Sequence, residues 1–293
     1  MVYDPVQARV LYVDGQNEPS LRIWRWDGAT WMVLPQLQGA FRRYWAQGAF
    51  DTARNRLVVF GGFTSVINGI HPVDTWEWTG TTWVLAASAG PPGRSGHRMA
   101  YDAARARVVL FGGSSAGFPA QDLGDTWEWD GSAWSLRSQI GPPARNNHAM
   151  VYDSERQRTV VFGGQNSNPL GDCWEWDGTS WAERTVSGPS PRSSSLLAHE
   201  PARSRLVLMA GVGPGVLPGE VWELDPVSNT WTFRGAGGPV VGPSAYDQAR
   251  GRGVVRETIN RTWECNPLAT LSGPAITQHP SGAGTYPLGT MWC

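Results

Sequence analysis

The chain has 293 residues, with 24 basic side chains, all arginine, against 25 acidic ones; the formal charge of −1 excludes electrostatic capture of nucleic acid or of an anionic membrane surface. The 36 glycines, 22 prolines and 17 tryptophans point to many turns and aromatic strand contacts, and no apolar run is long enough to span a bilayer as a helix. Cys173, Cys265 and Cys293 are too few for a disulfide framework and lack metal-ligand spacing.

Along the chain, three landmarks recur in the same order. The first is an aromatic-acid pair: Tyr3-Asp4, Phe50-Asp51, Tyr101-Asp102, Tyr152-Asp153, His199-Glu200 and Tyr246-Asp247. The second is an apolar, partly β-branched run closed by glycine, as in Val58-Val59-Phe60-Gly61-Gly62, Val109-Leu110-Phe111-Gly112-Gly113, Val160-Val161-Phe162-Gly163-Gly164 and Leu208-Met209-Ala210-Gly211. The third is a tryptophan hairpin beginning at Trp24, Trp76, Trp127, Trp174, Trp222 and Trp263, successive copies lying 41 to 52 residues apart. Six units result.

Each unit reads as four short strands. In the third they fall near His97–Tyr101, Arg107–Phe111, Asp125–Trp129 and Ala133–Arg137. Asp130-Gly131 is a two-residue hairpin signal. That turn sets Trp129 opposite Ser132, Glu128 opposite Ala133 and Trp127 opposite Trp134, with the three tryptophans on one face. Stacking of units buries the other face too, so the recurring glutamates Glu77, Glu128, Glu175, Glu223 and Glu264 need partners. Arginines recur before the first strands at Arg43 (or Arg42), Arg94, Arg145 and Arg192, and the expectation is that they bind these glutamates and tie one unit to the next.

Four-stranded units of about 50 residues with a double glycine after the second strand resemble kelch repeats. The aromatics at Trp76, Trp127 and Trp174 and the later tryptophans at Trp83, Trp134, Trp181 and Trp231 fit the same pattern. The resemblance covers residues 1–272 and implies an all-β fold, a β-propeller of kelch-type blades. Six blades follow from six units; seven stays open because both ends depart from the pattern. Met1-Val2-Tyr3-Asp4 matches Met150-Val151-Tyr152-Asp153, so the chain begins inside a first strand and ring closure is expected to rest on packing between units one and six. Residues 273–293 read as a tail, either a linker or the start of an immunoglobulin-like domain.

A residue present in every unit is structural by default, so chemistry is sought where the symmetry breaks. His97 and His148 are equivalent, facing Ala46, Ser195 and Gly242 elsewhere; without a third ligand they read as packing, as does His199, while His71 and His279 read as surface residues. Galactose oxidase, a copper-radical kelch propeller, carries a Tyr-His adjacency that is missing here, and Cys173 merely takes the place of Thr126. No Gly-x-Ser-x-Gly elbow occurs. The expectation is therefore no catalytic residue, metal or cofactor. The loops between second and third strands vary among units, and relatives use that face to hold peptides or glycans. Gln121, Asn166 and Asn168 are the binding candidates. The resemblance implies a secreted or cell-surface recognition module for a protein or glycan, monomeric or part of a longer chain. The alternative is a mutarotase-like propeller enzyme on small sugars.

Overall fold

The computed structural model describes residues 1–15, 21–35, 43–64, 70–117, 119–185, 187–237, 242–258, 261–265, 275–280 and 291–292. They form six antiparallel sheets, or blades, each made of consecutive strands, and one separate two-stranded ladder. Blade one comprises Val2–Asp4, Arg9–Asp14, Arg22–Trp26 and Trp31–Val33; blade two Gln47–Asp51, Arg56–Phe60, Thr75–Trp78 and Trp83–Ala87. Blade three comprises Arg98–Asp102, Arg107–Phe111, Thr126–Trp129 and Trp134–Ser138; blade four Ala149–Asp153, Arg158–Phe162, Cys173–Trp176 and Trp181–Arg184. Blade five holds Leu196–Glu200, Arg205–Met209, Val221–Asp225 and Thr230–Gly235, and blade six Ser244–Asp247, Arg252–Thr258, Arg261–Cys265, Ala275–Pro280 and Met291–Trp292. Each first strand contacts the first strands on both sides, that of blade one meeting that of blade six. The molecule is a six-blade β-propeller with the first strands around its axis.

The second strands show why the sheets stack. Val108, Val109, Leu110 and Phe111 are all completely buried, which an alternating strand with one wet face cannot achieve. Turns between first and second strands are held by their aspartates: Asp102 accepts the Arg105 amide at 3.1 Å and its Nε at 2.7 Å. The same Arg105 then reaches Glu128 on the third strand at 2.6 Å.

That contact corrects the expected ion pairs. The glutamates are paired within their own blades, to the arginine of this turn: Glu77 to Arg54 (2.7 Å), Glu128 to Arg105, Glu175 to Arg156, Glu223 to Arg203 (2.6 Å) and Glu264 to Arg250 (2.6 Å). The arginines ahead of the first strands have other partners. Arg94 spans Asp125 (2.6 and 2.8 Å) and the Gly112 carbonyl (3.0 Å), Arg145 spans Asp172 and Gly163 in the same way, and Arg192 binds Glu220. Arg43 binds Asp74. The guanidinium groups of Arg94, Arg145 and Arg192 clasp the two ends of the loop between second and third strands of their own blades, and Arg43 holds one end through Asp74.

Seams between blades are tied instead by indoles. Trp129 donates to Glu77 of the preceding blade at 3.1 Å, Trp176 to Glu128 at 3.0 Å and Trp26 to Glu264 across the closing seam at 2.7 Å. The fourth-strand tryptophans do likewise: Trp134 to Thr75, Trp181 to Thr126 and Trp31 to Thr262, at 2.7 to 2.8 Å. Where Leu224 replaces the indole in blade five, Glu175 takes Arg184 as a second cation at 2.6 Å; where Cys265 replaces it in blade six, Glu223 takes Arg234 at 2.7 Å. The closing seam has its own variation. Phe60, Phe111 and Phe162 each pack on the next blade's tryptophan, with ring centroids 5.0 to 5.5 Å apart. At the equivalent place in blade six Arg256 lies 5.4 Å over Trp31 and 4.5 Å over Tyr12, a cation–π contact in place of an aromatic pair.

Two further expectations change. The hairpin register is Trp129 opposite Trp134, Glu128 opposite Ser135 and Trp127 opposite Leu136. The turn holds four residues because Asp130 Oδ1 accepts the amides of Ser132 (2.7 Å) and Ala133 (2.8 Å), a side-chain cap that competes with the tight turn. The tryptophans still share a face, Trp129 and Trp134 lying 5.6 Å apart. At the other end, the boundary expected at 272 cuts through blade six: Ala275–Pro280 pairs with Arg261–Cys265 as its fourth strand, and Met291–Trp292 adds a fifth. That fourth strand lacks the leading tryptophan of the other five, so the repeat pattern missed it. His279 has no described side chain, and residues 281–290 and 293 lie outside the described set.

Candidate binding site

In an antiparallel pair the start of the first strand and the end of the second lie at the same edge. The loops between second and third strands therefore emerge beside the segments that lead into the first strands, and the two are bridged: Tyr44 pairs with Phe63, Ser114–Ser115 with Arg94–Ser95, Asn146 with Gln165 and Ser193 with Val212. All belong to one face of the disk. Within the lead-in segments of blades two to five one residue each takes left-handed backbone, at Trp45 (φ 54°), Gly96 (66°), Asn147 (51°) and Ser194 (59°). These bends are joined by hydrogen bonds from the Asn147 amide to the Gly96 carbonyl (2.8 Å) and from the Ser194 amide to that of Asn147 (2.7 Å). They form much of the rim around the axis.

Below the rim lies a cavity of about 520 Å³ lined by residues of all six blades. Trp45 stands at its edge, 62% exposed, with Phe63 edge-on to its ring at 5.3 Å and Tyr44 stacked on Phe63 in turn. A bulky residue both exposed and held in left-handed backbone is strained by about 1–3 kcal/mol, a cost that concentrates at ligand-contacting positions. On the wall, Arg98 donates through Nε to the His148 carbonyl (2.8 Å) and through Nη1 to Gln47 Oε1 (2.9 Å). Among the described residues its Nη2 has no acceptor and no carboxylate pairs with it. Burial lowers its pKa to about 10, so it is cationic at neutral pH. Ser195 also lines the cavity; it is 3% exposed and its hydroxyl has no partner.

The charged side chains of the lining are Arg43, held by Asp74, and Arg98. Among the described residues no aspartate, glutamate, histidine or cysteine lines the cavity. His97 and His148 are completely buried behind the wall, edge-on to Phe60 and Phe111 at 5.8 and 5.3 Å, and all four ring nitrogens lack partners. Burial first, then the nearby arginines, push both imidazoles well below their ordinary pKa. Among the described residues no group of three or more His, Cys, Asp or Glu side chains is placed to hold a metal ion. His71 is half-buried against Phe63 and within 3.2 Å of the Ser95 hydroxyl, rather than a free surface residue.

Gln121, Asn166 and Asn168 lie in loops on this face, but none lines the cavity. Sequence reasoning missed Trp45, Gln47, Arg98 and Asn147. A signal was present: they flank the repeat position of His97, where successive units read Trp45-Ala46-Gln47, Gly96-His97-Arg98, Asn147-His148-Ala149 and Ser194-Ser195-Leu196. No two of these triplets agree.

No protein-family model matches the chain, and no curated protein matches it in sequence.

Proposed function

We propose that this chain is a kelch-type propeller whose rim and central cavity form a non-catalytic recognition site, for a glycan or a protein segment. The observation that carries this is the composition of the cavity: an exposed aromatic platform, one unpaired cation and neutral amides and hydroxyls on a rigid ring. Such a lining can orient a ligand, and its described residues supply no carboxylate or imidazole for general acid–base catalysis. The variable loops bearing Gln121, Asn166 and Asn168 extend the surface around it. The repeat landmarks support the kelch assignment, and that resemblance alone supports action outside the cell or on its surface.

Thermal unfolding against a panel of neutral glycans, acidic glycans and peptides tests the recognition role. A ligand at 100 times its Kd stabilises by about 2.7 kcal/mol, which raises the midpoint by several degrees. A shift with one ligand class, abolished by Trp45→Ala, is the expected result. Turnover of a bound sugar, or a panel without any shift, overturns it.

A further inference from the structure

We propose that the cavity holds the carboxylate of an acidic saccharide, a uronate unit, with Arg98 as its counter-ion and Trp45 as the platform for its ring. The inference rests on the recognition role and narrows its ligand.

The unpaired charge sets the chemistry. Every other arginine on the axial side of blades two to five has an acid within reach: Arg43 has Asp74, Arg94 Asp125, Arg145 Asp172 and Arg192 Glu220. Arg98, which lines the cavity, is held by two neutral oxygens from blades two and four, which fix its plane and use Nε and Nη1, not Nη2. A cation kept in place with no counter-ion among the described residues, in a site dry enough to lower its own pKa, favours an anionic ligand. A guanidinium edge prefers a planar carboxylate, which it can meet with two donors.

The remaining lining sets the ligand's body. Trp45 offers an open aromatic face at the rim, suited to the apolar face of a sugar ring. Asn147, Ser194 and the unpartnered Ser195 hydroxyl provide uncharged donors and acceptors, which match hydroxyl groups. A lone buried hydroxyl without a partner is destabilising until something meets it. A volume of about 520 Å³ accommodates one or two sugar rings.

Isothermal titration with galacturonic acid and its trimer, set against galactose, a glutamate-containing peptide and inorganic phosphate, provides the test. The uronates bind and galactose does not; Arg98→Met weakens binding at least tenfold, and Trp45→Ala weakens it while leaving the fold intact. Arg98→Lys, which keeps the charge but loses the planar fork, retains part of the affinity and guards against a variant that fails to fold. Equal binding of galactose, binding unchanged in Arg98→Met, or binding of phosphate alone overturns the assignment. Binding of the peptide alone overturns it too but leaves the recognition role standing. Binding of none, in a protein whose melting point shifts with another glycan, does the same.

Discussion

Glu128 shows how much one side chain does in a repeat of this kind. It is 4% exposed, accepts from Arg105 and from the Trp176 indole of the next blade, and forms an ion pair with Arg137 at 3.3 Å. Glu128→Ala strands an indole and a guanidinium at once. Because Arg105 keeps Asp102 and some solvent, the expected loss is about 2–3 kcal/mol rather than the full penalty of an orphaned buried charge; denaturant titration measures it. Cys173 is the converse case. Where Thr126 accepts from Trp181, Cys173 stands beside Trp231, whose indole nitrogen is buried without a partner. Cys173→Thr is expected to stabilise by about 1 kcal/mol, one hydrogen bond's worth, seen as a melting point higher by a few degrees. The sequence showed both residues as repeat positions but not their partners. Glu128 pairs 23 residues back, across its own sheet, and not with the arginine that precedes a first strand.

At the scale of strands and turns, the legible features were those with a local cause. The apolar second strands, the Asp turn and the double glycine follow from burial on two faces and from backbone conformation. Gly112 illustrates the last: φ is 67°, and a Cβ there would meet the Arg145 carbonyl at 2.6 Å and the His148 ring at 3.0 Å. The chain passes that closely because the next residue, Gly113, donates to the same carbonyl at 2.8 Å and so joins blade three to blade four. Gly112→Ala is expected to destabilise by about 3 kcal/mol, strain and clash together, measurable as a lower denaturation midpoint. The hairpin was less legible. Asp-Gly serves both a two-residue turn and an aspartate-capped four-residue turn, and the choice depends on which amides the carboxylate finds. The rim was less legible still, because Trp45, Asn147 and Ser194 share a backbone bend and no side-chain chemistry.

At the scale of the whole molecule, pH sensitivity lies in two buried histidines and in the loop clasps. His97 and His148 are held neutral in the folded state, with pKa values depressed below those of the unfolded chain. Below about pH 6.5 the unfolded chain binds protons there that the fold does not, so stability falls as pH drops, by up to ~1.4 kcal/mol per unit for each histidine. Stability is therefore lower at pH 5 than at pH 7. Unfolding midpoints of the parent and of a His97→Phe, His148→Phe variant at those two pH values test this; a variant as acid-sensitive as the parent contradicts it. A second decline belongs to Asp125 and Asp172. Burial raises their carboxyls, but hydrogen bonds and charge from Arg94 and Arg145 prevail and hold them below the ordinary range. Their contribution is present above about pH 4 and is lost as pH falls through the depressed values.

The closing seam carries the same bonds as the internal ones but joins residues far apart along the chain. Trp26 meets Glu264 over 238 residues, whereas Trp129 meets Glu77 over 52. Loop-closure entropy grows only with the logarithm of length, so the longer closure costs about 1.3 kcal/mol more, less than two hydrogen bonds contribute. Among the described strands none is shared between blades one and six. Timing differs more than energy: contacts of 50 residues can form blade by blade, while the one of 238 must wait for all the rest. Closure is thus the late step of folding, and before it the edges of blades one and six stand open to each other's copies in neighbouring chains.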